Sequence, residues 1–290
     1  MDFRKHSEFT LLVAFSLVFW RETLTQTFRL AWSNDAYTHI LLIVPLSVAL
    51  IYFNSKTVPL AVEPKRVGGL FFFALATVLG CLGRWGNFLA SDEKLALSMF
   101  ALVSGWMAGV ICCYGIRVFG AFLFPICFLL WLVPWPGLLL NWIVELLQTG
   151  SAVSARLLFQ LARVPVTQNG IALSIPGLDL EVARECSSIR SSLILIITTM
   201  ILAHLFLRSK GRRLVLIIVA IPLSVVKNGL RIFVISELTT RVDPSYISGN
   251  FHRHGGIVFL LVALVVITGA AWLLGRNEPI HDSPPPLSRF

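Results

Sequence analysis

The sequence predicts an all-α fold, a polytopic bundle of about eight transmembrane helices with both termini in the cytoplasm. Of its 290 residues, 56% are hydrophobic and only 13% are charged, which is far from the composition of a soluble globular domain. The net charge of +9 comes largely from basic residues in short connections between apolar runs, where positive charge sets membrane topology. No basic patch is interleaved with aromatic residues, so we expect no nucleic-acid partner.

Eight apolar runs are candidate spans, because a spanning helix needs about 20 mostly apolar residues. They lie near residues 9–20, 39–53, 67–83, 95–113, 118–133, 188–207, 214–236 and 256–275. Arg4 and Lys5 precede the first run, as they would in a signal peptide. Arg21 and Glu22 then follow it without a clean small-residue cleavage site, so we expect a retained first span.

Two further segments have other patterns. Residues 134–163 show apolar residues at helical spacing, interrupted by Pro134, Pro136 and Gly150. This pattern fits two interfacial helices, a re-entrant hairpin or an additional pair of spans. Residues 164–184 alternate in polarity and contain Gly and Pro, which predicts a short extended or hairpin segment outside the hydrocarbon region.

The densest basic loop orients the chain. It contains Arg208, Lys210, Arg212 and Arg213. The positive-inside rule places this loop in the cytoplasm, so the span before it begins at the outer face. The next helix runs outward from Leu214, and Arg231 lies about 26 Å along it, near the far edge of a hydrocarbon core roughly 30 Å thick. The connection at 237–255 is then extracytoplasmic, and the last span returns the C-terminus to the cytoplasm.

Cys186 differs from the other four cysteines. Cys81, Cys112, Cys113 and Cys127 lie inside apolar runs, where a thiol usually behaves as a small buried hydrophobe.

Cys186 instead follows Arg184 and Glu185 and immediately precedes a helix, whose N-terminus favours the thiolate. Arg190 lies one helical turn further and faces the same way. The residues alone leave a nucleophile and a packed interfacial thiol both open. No CxxC or HExxH pattern occurs, which weakens a metal-binding role.

Arg231 is an ionisable residue within an apolar span, with Lys227 and Asn228 one turn earlier. Such a residue is by default a functional candidate that faces the bundle interior. The alternative is an interfacial anchor, or a partner for Glu237 or Asp243. In the functional interpretation, Arg231 holds a thiolate, binds a substrate carboxylate or stabilises an oxyanion.

His252 and His254 lie in GNFHRHGGIVF, just before the last span. Histidine moves protons near neutral pH, and a Cys–His pair is a recurrent device for activating a thiol. A loop histidine is more often a polar surface residue. The predicted topology favours function here, because it brings cysteine, arginine and histidine to one membrane face.

The stretches that contain these residues carry a family resemblance. LEVARECSSIRSS (180–192), KNGLRIF (227–233) and FHRHGGIVF (251–259) resemble the exosortase and archaeosortase superfamily of polytopic membrane transpeptidases. SNDAYTHILLIVPLS (33–47) and LWLVPWPG (130–137) add matches in the expected order. The resemblance therefore covers most of the chain.

The resemblance implies catalytic roles for Cys186 as nucleophile, for Arg231 and for a histidine. It selects His252, because that residue stands four positions before Gly256, the glycine that opens the last span. A histidine at this place is similar to the bacterial exosortases. Supporting or substrate-binding roles then fall to four neighbours. These are Glu185, Arg190, Asn228 and His254.

The resemblance also implies an activity. It is the cleavage, at the outer face of the bacterial cytoplasmic membrane, of secreted proteins that end in a Pro-Glu-Pro-type motif, a hydrophobic span and a basic end. Membrane lipid is the other expected partner, and the implied reaction needs no metal or organic cofactor. Residues 1–275 would form one transmembrane domain with its catalytic part at 164–259, and residues 276–290 a disordered cytoplasmic tail.

Two other functions stay open. One is a transporter or polysaccharide-export component that holds an anionic ligand without cysteine chemistry. The other is an intramembrane protease that hydrolyses without transfer.

Overall fold

The structure, a computed structural model, describes residues 3–55, 66–86, 88–182, 189–243, 245 and 256–276. The chain forms two compact units, Met1–Ile143 and Val144–Phe290. Each unit is described by itself below.

The regular elements in the described part of the first unit are helices. Its α-helices are α1 (Phe3–Phe19), α2 (Arg21–Ser33), α3 (Ile40–Ser55), α4 (Arg66–Trp85), α5 (Ser91–Tyr114), α6 (Ile116–Ala121) and α7 (Leu123–Phe128). Short 3₁₀ helices cover Asp35–Tyr37 and Leu129–Leu132.

The run at 118–133, which the sequence predicts as one span, is divided into α6, α7 and the second 3₁₀ helix. Pro125 explains the first division. A proline inside a helix has no N–H to donate and its ring clashes with the carbonyl four residues earlier, which here belongs to Ala121, the last residue of α6.

Glycines bring α4 and α5 close together. A Cβ atom on Gly83 would lie 2.6 Å from the Ser98 hydroxyl oxygen, and one on Gly69 would collide with the Cys112 sulfur. Small residues at such positions let transmembrane helix backbones approach closely.

The SNDAYTHI and LWLVPWPG stretches meet within the first unit. The Tyr37 hydroxyl donates to the Trp135 carbonyl oxygen at 3.0 Å. The buried His39 ring packs edge-on against Trp131, with ring centroids 5.9 Å apart. Two sequence regions almost a hundred residues apart are thus held together by their aromatic side chains.

The remaining elements follow from Gly137 onward. They are α8 (Gly137–Leu161), β1 (Thr167–Asn169), β2 (Ala172–Ile175), β3 (Leu178–Glu181), α9 (Ile189–Phe206), α10 (Lys210–Arg241) and α11 (Gly256–Arg276). The division between the two units falls inside α8, at Ile143.

The region 134–163 contains one continuous helix, α8. The chain bends by 95° between the preceding segment Leu123–Leu132 and this helix. Pro134 and Pro136 lie before its first residue, and the helix continues through Gly150 without a break. The expectation that Gly150 interrupts the helix is wrong. A Cβ atom there would lie only 2.9 Å from Val225 of α10, so this glycine allows close packing.

The expected hairpin at 164–184 is confirmed as a three-stranded antiparallel sheet in the order β1-β2-β3. Pro176 and Gly177 form the two-residue turn between β2 and β3, and Gly177 has the positive φ of 85° that such a turn requires. The buried side chains of this sheet pack on α8 and α10. This core contains Ala152, Ala155, Phe159, Leu173, Ile175, Val182 and Ile232.

Helices α9, α10 and α11 pack around a second core. It contains Leu195, Ala203, Leu207, Leu216, Ala220, Ala263, Ile267 and Ala271. At one end of these helices, Arg213 Nε donates to the Leu207 carbonyl oxygen at 2.6 Å and Arg212 Nη1 to that of Leu274 at 2.7 Å. Basic side chains thereby satisfy carbonyl groups at the C-terminal ends of α9 and α11.

Five helical segments in the described part are long and apolar enough to cross a membrane. They are Asp35–Ser55, Ser91–Tyr114, Ile189–Phe206, Lys210–Arg241 and Gly256–Arg276. The bent pair Leu123–Leu132 and Gly137–Leu161 makes a sixth if it counts as one span. The described fold is consistent with an all-α polytopic membrane protein. The count of about eight spans and the cytoplasmic termini stay predictions.

Candidate active site

Helix α10 carries a short polar stretch within a mostly apolar sequence. Lys227, Asn228 and Arg231 are 5%, 1% and 9% exposed. Burying charged groups away from water is costly unless other groups compensate them, so this stretch is a candidate functional site.

Asn228 and Gly229 fix α10 against α8. Asn228 Nδ2 donates to the hydroxyl oxygen of the buried Ser151 at 3.1 Å. A Cβ atom on Gly229 would lie 2.6 Å from the Ser154 hydroxyl oxygen and 2.9 Å from the Ala155 backbone nitrogen. The backbones therefore touch at the turn that carries Arg231, which sets the position of its side chain.

Lys227 connects α10 to the start of α9. Its ammonium group donates to the hydroxyl oxygen of Ser191, in the first turn of that helix. This contact places a buried ammonium group beside the first described turn of α9.

Arg231 contacts the start of α11. A Cβ atom on Gly256, the first residue of that helix, would lie 3.7 Å from Arg231 Nη1 and 3.8 Å from its Cζ. A Cβ atom at these distances would make ordinary van der Waals contact, so the guanidinium group lies beside the first turn of α11. Lys227 and Arg231, which are one helical turn apart on α10, thus contact the first turns of α9 and α11 respectively.

Gln148 holds the other side of the site. Its Nε2 donates to the Val182 carbonyl oxygen at 2.7 Å, so α8 fixes the chain just after β3. Sequence reasoning missed Gln148, Ser151 and Ser191. A signal was present for α8, because its buried polar and small residues recur with helical spacing. They are Gln148, Ser151, Ala152 and Ala155.

Several predicted site residues lie outside the described part of the chain. Glu185 and Cys186 fall between Val182 and Ile189, and His252 and His254 fall before Gly256. Their roles stay predictions. Arg190 is described, and its side chain is exposed at the start of α9.

The two carboxylates considered as partners for Arg231 have other contacts. Glu237 pairs with Arg241, with 2.7 Å between Oε2 and Nε. The Asp243 carboxylate accepts a hydrogen bond from the Ser245 backbone N–H at 2.7 Å, which holds the pKa of Asp243 below its usual range. Together with the burial of Arg231, these contacts favour a functional role over an interfacial anchor.

Within the ranges that the structure describes, no three His, Cys, Asp or Glu side chains form a group that could hold a metal ion. The buried polar side chains described on α8 and α10 at this site are cations, hydroxyls and amides. Such groups bind and stabilise negative charge.

Comparison with known proteins gives one family. The sequence model described as transmembrane exosortase matches residues 31–269, a range that includes every predicted site residue. No curated protein and no solved structure matches the chain. The match covers most of the sequence and agrees with the apolar helices of the fold, so this chain is an integral membrane protein that belongs to the transmembrane exosortase family.

Proposed function

We propose that the protein is a membrane cysteine transpeptidase that removes the C-terminal sorting tail of secreted proteins. The observation that carries this proposal is the position of Arg231 and Lys227, which contact the first turns of α11 and α9. Those turns follow the two segments that contain His252 and Cys186.

Chain continuity supports this placement of the catalytic groups. The segment with Cys186 begins after Val182, which Gln148 holds, and ends at Ile189, two residues before the Lys227 partner Ser191. The segment with His252 ends at Gly256, beside the Arg231 guanidinium. Both connections thus start or end at the buried polar stretch of α10.

The proposed reaction has two stages. The Cys186 thiolate attacks the scissile carbonyl carbon, the peptide C–N bond breaks and an acyl-enzyme forms. His252 takes the proton from the thiol and gives it to the leaving amine. Arg231 stabilises the thiolate and the oxyanion, and Asn228 positions the helical turn that carries it. An amine, a lipid-linked acceptor or water then accepts the acyl group.

We further propose that the site faces the exterior of the bacterial cytoplasmic membrane, in a chain of about eight spans with both termini inside. Along α10, Arg213 and Arg231 are 18 residues apart, or about 27 Å at 1.5 Å per residue, which is close to the thickness of a hydrocarbon core. The basic loop 208–213 and Arg231 would then lie at opposite membrane faces. The substrate would carry a Pro-Glu-Pro-type motif, a hydrophobic span and a basic end, and Glu185, Arg190 and His254 would border it.

Replacement of the nucleophile tests the proposal. We expect Cys186→Ala to abolish tail removal when the enzyme is co-expressed with a reporter protein that ends in the three-part tail. Cys127→Ala is the matched control, because that thiol is half-buried in the first unit, and it should leave cleavage within about twofold of wild type. Cleavage that persists unchanged in Cys186→Ala would refute the mechanism. Mass analysis of the product separates hydrolysis, which adds water, from transfer, which adds an acceptor.

The buried cations also fit a transporter or export component that binds an anionic ligand. That function makes Cys186 dispensable, and it requires only a positive charge at position 231. Transport or export by Cys186→Ala at the wild-type level, with tail removal absent from both proteins, would favour it.

A further inference from the structure

Strand β3 lies at an edge of the three-stranded sheet, and its alternate residues direct their backbone groups away from that sheet. The Val182 N–H, directly after β3, donates to the Ile171 carbonyl oxygen at 3.1 Å. In an antiparallel ladder only every second pair of opposite residues exchanges such hydrogen bonds. The backbone groups of Asp179 and Glu181 therefore point outward from the sheet. Those directed to β2 belong to Leu178, Leu180 and Val182.

The side chains of β3 have two environments. Leu178 and Leu180 pack against the buried core that includes Ile232 of α10, whereas Asp179 and Glu181 are exposed. A strand edge with outward N–H and C=O groups can bind an extended peptide through main-chain hydrogen bonds. A peptide beside β3 would have one row of side chains on the core face of the sheet and one row on the exposed face.

Strand β3 also leads directly to the proposed nucleophile. Cys186 lies five residues after Glu181, and five residues of extended chain span at most about 18 Å. Gln148 fixes the chain at Val182, between these two residues. A peptide that pairs with β3 and continues in the same direction therefore brings its next few residues within reach of the thiol.

We propose that β3 binds the recognition segment of the substrate as an added parallel β-strand. This inference rests on the proposed function. Strand β3 runs towards α9, a span that begins at the outer face in the proposed topology. The substrate runs in the same sense, from its motif into its hydrophobic span, so the two strands are parallel.

The proposed Pro-Glu-Pro motif fits this edge because its prolines alternate. Proline has no N–H to donate, so a strand tolerates it where its nitrogen faces away from the neighbouring strand. In an extended segment the two prolines direct their nitrogen atoms to one side, and the glutamate directs its N–H and C=O to the other. The glutamate N–H then donates to the Asp179 carbonyl oxygen, and the glutamate carbonyl oxygen accepts from the Glu181 N–H.

The parallel direction also separates like charges. In this register the motif glutamate is level with Leu180, so its side chain lies on the face opposite to the Asp179 and Glu181 carboxylates. In an antiparallel register it would be directly opposite one of those carboxylates, and like charges in that position destabilise a sheet.

Peptides with a single backbone methyl group test the alternation. The experiment uses purified wild-type enzyme in detergent and synthetic peptides that contain the motif, the hydrophobic span and the basic end. N-methylation of the motif glutamate removes the N–H that faces β3 and should lower kcat/KM about three- to tenfold, the effect of one hydrogen bond. N-methylation three residues earlier, where the N–H faces away from β3, should change kcat/KM by less than about twofold. Equal losses at both positions would overturn the inference.

Proline in the enzyme tests the same edge from the other side. Glu181→Pro removes an N–H that points away from β2, so the hydrogen bonds within the sheet remain. We expect its kcat/KM to be about three- to tenfold below that of Glu181→Ala, which loses the same side chain but keeps the N–H. Gln168→Pro is the control on the opposite edge. Its N–H also points outward, because its partner Leu173 directs its backbone groups to β3, and kcat/KM should stay within about twofold of wild type.

Two results with these variants would also overturn the inference. Equal losses in Glu181→Pro and Gln168→Pro would mean that proline acts through the stability of the sheet. Equal kcat/KM for Glu181→Pro and Glu181→Ala would mean that the substrate does not use this edge, for example because another segment of the enzyme covers it. If Glu181→Pro does not accumulate in the membrane, the methylated peptides decide with the wild-type enzyme alone.

The proposed function fails separately from this inference. Cleavage of the unmethylated peptide by Cys186→Ala would refute the cysteine mechanism. Cleavage that requires Cys186 but is equally sensitive to both methyl groups would refute only the pairing with β3.

Discussion

The two units of the chain bury different kinds of polar group. In the described part of the first unit, the buried polar side chains are hydroxyl groups and one imidazole. They are Thr27, His39, Ser47, Ser98 and Ser104. The second unit buries Lys227, Asn228, Arg231 and Gln148 as well as hydroxyl groups.

This difference matters because hydroxyls and cations have different reasons to be buried. A serine or threonine inside a helix can donate to the carbonyl oxygen one turn earlier, as Thr199 does to that of Leu195 at 2.7 Å. A lysine or arginine has no such local solution and costs several kcal/mol to desolvate. Burial of two cations therefore favours a functional role in the second unit, whereas the described part of the first unit buries no lysine or arginine.

The largest expected effect comes from the guanidinium of Arg231. Arg231→Lys should lower the rate of tail removal by about a hundredfold or more, because the lysine keeps the charge but loses the planar array of donors that can stabilise an oxyanion. Initial cleavage rates, normalised to the amount of enzyme in the membrane, measure this.

The matched change in the first unit is Arg84→Lys. The Arg84 side chain is 44% exposed, with its Nη2 3.9 Å from Glu22 Oε2 and its guanidinium above the Phe19 ring, so we expect less than a twofold change in rate. An equal loss from both substitutions would remove the functional distinction between the two units. A rate for Arg231→Lys within threefold of wild type would instead assign Arg231 to charge binding alone.

Glycine contacts between helices give the second comparison. Gly229→Ala forces a methyl group against Ser154 and should cost about 1–3 kcal/mol of stability. Because the same backbone contact positions Arg231, we also expect activity per folded molecule to fall about tenfold, an effect in the range of a misplaced catalytic group.

Gly83→Ala makes the same kind of clash in the first unit, against Ser98, and should reduce stability without that loss of activity. Gly105→Ala is a neutral control, since no atom lies within 4 Å of its added methyl group. Thermal unfolding in detergent reports stability, and the cleavage rate of the folded fraction reports activity. If Gly83→Ala lowers activity per folded molecule as much as Gly229→Ala does, packing alone explains both.

Much of the fold could be predicted from the sequence, because run length and apolarity determine where membrane helices form. The division of 118–133 could also have been predicted, since Pro125 is visible in the sequence and its effect on Ala121 is local. The role of Gly150 could not be predicted in this way. The packing that requires a glycine there involves Val225, a residue 75 positions later that no local pattern connects to Gly150.

The candidate site likewise has features that the local sequence predicts and features that depend on packing. The default rule that a charged residue in a span faces the interior predicts the burial of Arg231 correctly. The partners of Lys227 and Val182 depend on which helices become neighbours. Ser191 and Gln148 therefore emerge only from the packing of α8, α9 and α10.

The smallest expected effect compares two side-chain hydrogen bonds to backbone carbonyl groups, one in each unit. Gln148→Met removes the donor to Val182 at nearly constant volume and leaves a buried carbonyl oxygen without that bond, at a cost of about 1–3 kcal/mol. Since Val182 begins the segment that contains Cys186, we expect cleavage per folded molecule to fall about fivefold. Tyr37→Phe removes the bond to Trp135 in the first unit, at a similar cost in stability. It should change that rate by less than twofold. Thermal unfolding and initial cleavage rates, measured on the same preparations, separate the two effects. If Tyr37→Phe slows cleavage as much as Gln148→Met, the aromatic contacts of the first unit belong to the catalytic machinery. The lack of a buried lysine or arginine in the described part of that unit then does not mark it as scaffold.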